Sequence, residues 1–333
     1  MLIGWIGVLL AGCISGSFTV PARRLRVMSW NGAWLIYCAV ATLFVPCLLG
    51  LLFAAPLFSR VFPAHLWFVA TVLLAGVMFG CGAFLFGSCV PRLGVALSNA
   101  IVSGTVALVG SLSPLVSGGT KLSTGAFALL LLGLFTLATG IAASCYASIL
   151  RDRAGSQQPS VPARSGSAAG ILLALVAGCL SSMLNTGFAY GQPLIEYSVR
   201  EGVSPAFSSL AVWIPVLAGA FIVNAIATHL RLVRTGEYAL LRSAPISDWL
   251  RAIAMGMLWT AAILVYGVCS QLLGSTGTVY GWAVLVGTSI LIGIVWGILL
   301  GEWRTASAQA MTWLFASLSL VLLALLILCI RGN

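Results

Sequence analysis

The residues of this chain best suited to holding a solute are neutral. Asn99, Asn185, Gln192 and Gln271 carry amides, Tyr190 and Tyr266 carry phenols, and Trp259 and Trp282 carry indoles, all within or beside long apolar stretches. Amides satisfy hydroxyl groups and aromatic faces cover C–H surface, so this set suits binding of a neutral sugar or a similar small metabolite. The competing use of the same residue types is structural. Ser and Thr join helices in a bilayer, and Trp and Tyr mark its headgroup belts. Acids are scarce: Asp152, Glu196, Glu201, Glu237, Asp248 and Glu302 all lie in connections or at the margins of apolar stretches. A carboxylate kept near the hydrocarbon is a proton-relay candidate. Glu196, just beyond the sixth apolar stretch, is the proton-coupling candidate; Glu302 reads more simply as the partner of Arg304 or a neighbouring loop arginine. Catalysis and metal binding have no support. The two histidines, His65 and His229, stand near span ends, and the nine cysteines form no CxxC pair. No nucleophile–base pair or convergent ligand set results, so no enzyme, metal or cofactor is expected.

The elements that must position these groups are membrane helices. The chain is 61% hydrophobic and 7% charged, against about 25% charged for a soluble domain. Ten apolar segments, at about 2–20, 32–54, 66–89, 93–117, 125–149, 169–192, 206–229, 251–272, 277–301 and 307–330, are each long enough to cross about 30 Å of hydrocarbon. None alternates as an outer-membrane strand does, and a helix satisfies its own backbone polar groups in lipid. The expected fold is an all-α integral membrane protein with no soluble domain, seated in the inner membrane among its lipids. The net charge of +10 is not a nucleic-acid signal. Of sixteen basic residues, twelve fall in connections after the odd-numbered spans, among them Arg23, Arg24, Arg26, Arg151 and Arg231; four, Arg60, Lys121, Arg200 and Arg331, fall on the other side. This bias predicts cytoplasmic odd connections and periplasmic termini. Leu10-Ala11-Gly12-Cys13 has the form of a lipoprotein cleavage box, but the arginines follow rather than precede the apolar stretch, so the first span is expected to be retained.

Two halves repeat. Ala11-Gly12-Cys13-Ile14-Ser15 returns as Ala177-Gly178-Cys179-Leu180-Ser181, an offset of 166. Pro46, Leu48 and Gly50 match Pro215, Leu217 and Gly219 at 169; Gly76, Phe86-Gly87, Cys89 and Leu93-Gly94 match Gly256, Tyr266-Gly267, Cys269 and Leu273-Gly274 at 180; Gly104-Thr105 and Gly110 match Gly287-Thr288 and Gly293 at 183. Residues 1–150 and 169–333 are thus read as two five-helix repeats joined by a cytoplasmic linker over 151–168. An odd number of spans per repeat inverts the second copy, and such folds hold substrate between the copies and expose it by alternating access. Pro46 and Pro215, at matching positions, are hinge candidates. Gly76-x-x-x-Gly80 and Gly293-x-x-x-Gly297-x-x-x-Gly301 are read as close-packing helix faces. The Leu-rich run from Leu318 to Leu328 is read as lipid-facing and able to support a homodimer.

The chain resembles the L-rhamnose–proton symporter family of the drug/metabolite transporter superfamily. The resemblance rests on Pro21-Ala22-Arg23-Arg24 before Ser29-Trp30 and Trp34; on Gly80-x-Gly82, Gly87 and Arg92-Leu93-Gly94, with Gly104 and Gly110 beyond; and on Gly297 followed by Glu302-Trp303. It implies ten helices in inverted repeats and sugar import with a proton. The chain departs from the family pattern at Ala83-Phe84-Leu85-Phe86, where asparagines are expected, and at Thr278-Val279-Tyr280, where an acid is expected. An uncoupled facilitator or exporter of another small metabolite is therefore the alternative reading, and a non-transporting membrane sensor a distant one.

Overall fold

A computed structural model describes residues 1–117, 122–155 and 168–331. Most of the linker, with Lys121 and Arg164, lies outside the described residues. Ten helices are long and apolar enough to cross a membrane, and no strand occurs among the described residues. They are α1 Leu2–Ser17, α2 Trp30–Phe53, α3 Leu66–Leu93, α4 Val95–Ser117, α5 Thr124–Gly155, α6 Ala168–Arg200, α7 Leu210–Thr235, α8 Ile246–Leu272, α9 Gly277–Leu299 and α10 Ala308–Arg331.

Several boundaries differ from the hydropathy reading, because a helix continues past the hydrocarbon wherever its backbone is already paired. α6 runs on past the expected end at 192, with irregular turns near Ser182 and Gly191, so Glu196 sits inside the helical stretch Gln192–Arg200. α8 starts at Ile246, which brings Asp248 into its first turn. The polar stretch 230–249 after the seventh apolar segment is largely helical, with α7 running to Thr235 and a short helix at Tyr238–Ser243.

Packing couples the two halves. α1 lies on α8 and α9, α6 lies on α3 and α4, α2 meets α7 and α8, α3 meets α7, and α5 meets α10. Glycine permits the closest approaches. A Cβ built at Gly76 would collide with the backbone of Val216, and one at Gly219 with the Leu73 carbonyl, so α3 and α7 touch backbone to backbone. Gly12 faces Thr288 and Gly178 faces Thr105, each placing a virtual Cβ 2.5 Å from the threonine Cβ and 2.8 Å from its Cγ2. The glycine ladder of α9 behaves otherwise. Gly293 has nothing within 4 Å of a virtual Cβ, and Gly297 makes room for the Glu302 carboxylate, 2.9 Å away. That ladder shapes a void rather than a helix contact, which corrects the packing expectation.

The matching prolines have different surroundings. Upstream of Pro46 the helix widens into a π-helical turn over Ala39–Phe44, whereas Pro215 lies within continuous α-helix. The last helix is not wholly lipid-facing. Val321, Ala324, Leu325 and Leu328 are buried, with Val321 against Gly140 and Leu328 against Gly133 of α5; Leu322, Leu323 and Leu326 remain exposed.

The connection between α1 and α2 is fixed by a buried acid. The fully buried Asp248 accepts three backbone N–H groups through Oδ2, from Arg26 at 3.0 Å, Val27 at 2.9 Å and Met28 at 3.1 Å. Its Oδ1 accepts from Arg251 at 2.8 Å. Such pairing offsets the cost of taking a carboxylate out of water.

Gly76→Ala is expected to lower the thermal midpoint in detergent, since overpacking against an immovable backbone costs about 1–3 kcal/mol. Gly104→Ala is the matched comparison, because a virtual Cβ there meets nothing within 4 Å. It should gain up to about 1 kcal/mol from helix propensity. Equal midpoints for the two variants would contradict the backbone contact.

Candidate functional site

A cavity of about 610 Å³ opens on the face carrying the odd-numbered connections, between the ends of α1, α4, α5 and α9. Its neutral polar lining comes from Ser15 and Thr19 of α1 and the turn after it, Asn99 and Ser103 of α4, Ser144 and Ser148 of α5, and Ser289 of α9. Asn99 is exposed and accepts a 3.4 Å hydrogen bond from Ser103. Gly16 and Gly293 keep the lining thin, and Phe18 and Ile290 supply apolar surface. Hydroxyls and one amide around a partly apolar hollow match a small polyol in chemistry and scale.

Charge collects at the mouth. Glu302 pairs with Arg23, from the 3-10 turn after α1, and its Oε2 lies 3.7 Å from Arg151 of α5. Arg151 donates twice to Asp152 Oδ1, at 3.0 and 2.8 Å, and its guanidinium lies 4.8 Å over the Trp303 ring. Two arginines face two carboxylates, so the mouth carries no formal excess charge. The sequence reading anticipated an ion-paired Glu302; its partners are Arg23 and Arg151, brought together by folding rather than by proximity in the chain.

The opposite end is sealed. The fully buried Asn185 donates from Nδ2 to the carbonyls of Gly110 and Thr278, both at 2.8 Å, and its Oδ1 accepts the Tyr266 O–H at 2.7 Å. One amide thereby joins α4, α6, α8 and α9. Trp282 donates to the Val106 carbonyl at 3.1 Å, its ring 5.6 Å from that of Tyr266. Phe188 and Trp213 stack at 4.3 Å beside them.

The expected binding residues therefore divide. Asn99 lines the open cavity, while Asn185, Tyr266 and Trp282 meet in the sealed layer. Trp259 packs between Tyr37 and Phe79, away from both. Towards the far face, Gln192 donates to Phe188 O at 3.2 Å; Gln271 donates to Gly267 O at 3.1 Å and accepts from Ser208 at 3.4 Å. Tyr190 is exposed near Phe68, and Glu196 is exposed and outside the cavity lining. Ser144, Ser148 and Ser289 join the cavity without any mark in the sequence. Single serines carry no distinguishing signal in apolar helices, and their convergence is a tertiary fact.

Ten membrane helices around a polar cavity closed at one end define a polytopic membrane transporter. The family model for the L-rhamnose-proton symport protein (RhaT) matches residues 1–331, and the chain belongs to that family. It is similar to an L-rhamnose-proton symporter of Cronobacter sakazakii, 25% identical over 316 residues, covering 91% of this chain and 89% of that protein. It is also similar to an L-rhamnose-proton symporter of Yersinia pestis, 22% identical over 334 residues, covering 97% and 96%.

Asn185→Ala is expected to destabilise the folded protein by on the order of 3 kcal/mol, because it strands buried polar groups on three other helices. Asn99→Ala, in an open cavity, should stay within about 0.5 kcal/mol of wild type. Thermal unfolding of both variants in detergent checks the contrast.

Proposed function

We propose that this chain is a sugar–proton symporter of the bacterial inner membrane that takes up L-rhamnose or a closely related neutral sugar. The proposed scaffold is two inverted five-helix repeats of the drug/metabolite transporter type, with the odd-numbered connections in the cytoplasm and both termini in the periplasm. Family membership supports the activity, and the neutral polar cavity supports the substrate class. The twelve-to-four bias of basic residues supports the orientation, which makes the described state open inward.

The observation that carries the mechanism is the correspondence between the open cavity and the sealed layer. At the repeat offsets of 166 and 183, cavity residues Thr19, Asn99 and Gly293 correspond to Asn185, Trp282 and Gly110 of the sealed layer, and Ser289 corresponds to Val106. The helix pairings exchange in the same way: α1 on α8 and α9 becomes α6 on α3 and α4. The equal Gly12–Thr288 and Gly178–Thr105 contacts exchange likewise. If the repeats swap conformations, the sealed layer opens as the cytoplasmic mouth closes. Asn185, Tyr266 and Trp282 then line an outward cavity, with Tyr190, Gln192 and Gln271 along its approach. The buried Trp213 Nε1 and Thr288 Oγ1 lack hydrogen-bond partners among the described residues and are groups that can gain them in the other state.

Proton coupling requires an acid that meets the pathway. Glu302 lines the inward cavity, and Glu196 lies on the periplasmic side of the seal, so one serves each access state. Pro46, beside its π-helical turn, is the better placed of the two proline hinges. A homodimer, if formed, has the exposed leucines of α10 as its surface.

The test is uptake of labelled L-rhamnose into right-side-out vesicles with an inward proton gradient. Wild type should accumulate the sugar. Asn99→Ala should raise KM about tenfold, the equivalent of one lost hydrogen bond of about 1.4 kcal/mol. Glu196→Gln and Glu302→Gln should each abolish gradient-driven accumulation while sparing counterflow. A wild type that never accumulates L-rhamnose would refute this substrate, and gradient-independent accumulation would refute the coupling.

A further inference from the structure

Away from the transport cavity, α3 and α7 part company. They touch backbone to backbone at Gly76 and Gly219, and Gly80 still meets Ala220 and Val223. Beyond that crossing the helices diverge, and a groove of about 620 Å³ opens between them on the outer surface of the bundle. Exposed Ile222, Ile226 and Leu230 of α7 and Phe84 of α3 line it. Its cytoplasmic end is basic, with Arg231 and Arg234 in the last turns of α7.

We propose that this groove binds one anionic phospholipid of the inner leaflet, with its phosphate on Arg231 and Arg234 and an acyl chain along the apolar wall. Neither arginine is ion-paired to protein among the described residues. Arg231 is nevertheless held in place. Its guanidinium lies 5.3 Å over the Phe84 ring, and Gly87 leaves it space, a virtual Cβ there being 3.1 Å from Nη2. A cation seated against an aromatic face yet lacking a carboxylate offers its remaining donors to an outside anion.

Dimensions select the occupant. From Ile222 to Arg234 the helix rises about 18 Å at 1.5 Å per residue, close to the depth of one leaflet of a core about 30 Å thick. A free phosphate uses only the basic end and leaves the apolar wall unmatched. A zwitterionic lipid fills the wall but brings its own cation to the arginines. An anionic lipid satisfies both parts, on the face where such lipids meet juxtamembrane basic residues.

The full-length protein, extracted from vesicles of equimolar phosphatidylglycerol and phosphatidylcholine, tests this by native mass spectrometry. Wild type should retain a single phosphatidylglycerol over phosphatidylcholine on the order of 30-fold, the preference expected from two basic groups near an anionic headgroup. In Arg231→Gln with Arg234→Gln that preference should fall towards unity, with an unchanged thermal midpoint in phosphatidylcholine as the folding check. Ile226→Trp, which fills the apolar wall and leaves both arginines, should also reduce retention. Equal retention of the two lipids by wild type, or undiminished preference in the arginine variant, would overturn the proposal. So would thermal stabilisation by inorganic phosphate equal to that by phosphatidylglycerol, because the site would then bind an anion and not a lipid.

Discussion

A charge within the hydrocarbon is costly, and the architecture follows from how this chain avoids it. Its carboxylates stand at or near the two faces, where Asp248 is enclosed by three backbone N–H groups and Arg251, and Glu302 by Arg23 and Arg151. The interior is left to neutral polar groups. Such groups can change partners at modest cost, as a pathway opening alternately to two sides requires. Asn185 illustrates the point: three hydrogen bonds to three other helices close one end of the protein without an ion pair to break.

Glycine serves two opposite purposes within this frame. At Gly76 and Gly219 the missing side chain is replaced by another helix, and backbones lock at van der Waals distance, while at Gly12 and Gly178 a threonine side chain takes the space. At Gly293 and Gly104 no atom takes its place, and one lines the open cavity while the other lines a groove on the bundle surface. Dispersion between close backbones is the main attraction available where lipid removes the hydrophobic drive. The locked contacts hold helix pairs together, and the open glycines mark where space is kept. Packed interfaces of this kind prefer discrete arrangements to gradual deformation.

The ion pairs at the cavity mouth and the amide at the sealed end are complementary devices. The mouth lies where water screens charge, so Arg23, Glu302 and Arg151 can separate and re-form without a large desolvation cost. The sealed end is buried, and its contacts are neutral hydrogen bonds. The location of each group relative to water decides which chemistry it uses.

Helix number, approximate spans and the neutral character of the interior were legible in the sequence, because each depends on local composition. The ends of α6 and α8 were not, since a helix that crosses into the headgroups keeps its hydrogen bonds after hydropathy falls. Gly76-x-x-x-Gly80 and Gly293-x-x-x-Gly297 are the same motif in the sequence, yet the first meets a helix and the second meets a cavity. Eight binding candidates were read from residue type; folding put Asn99 in the open cavity, put Asn185, Tyr266 and Trp282 in the seal, and drew in Ser144, Ser148 and Ser289 unannounced. The sequence by itself determined that the protein is a bundle of membrane helices with a neutral core, because hydrophobic length and the cost of buried charge act segment by segment. Only the tertiary structure decided which polar groups face the open cavity and which face one another, because that depends on the rotation of each helix against neighbours distant in the chain.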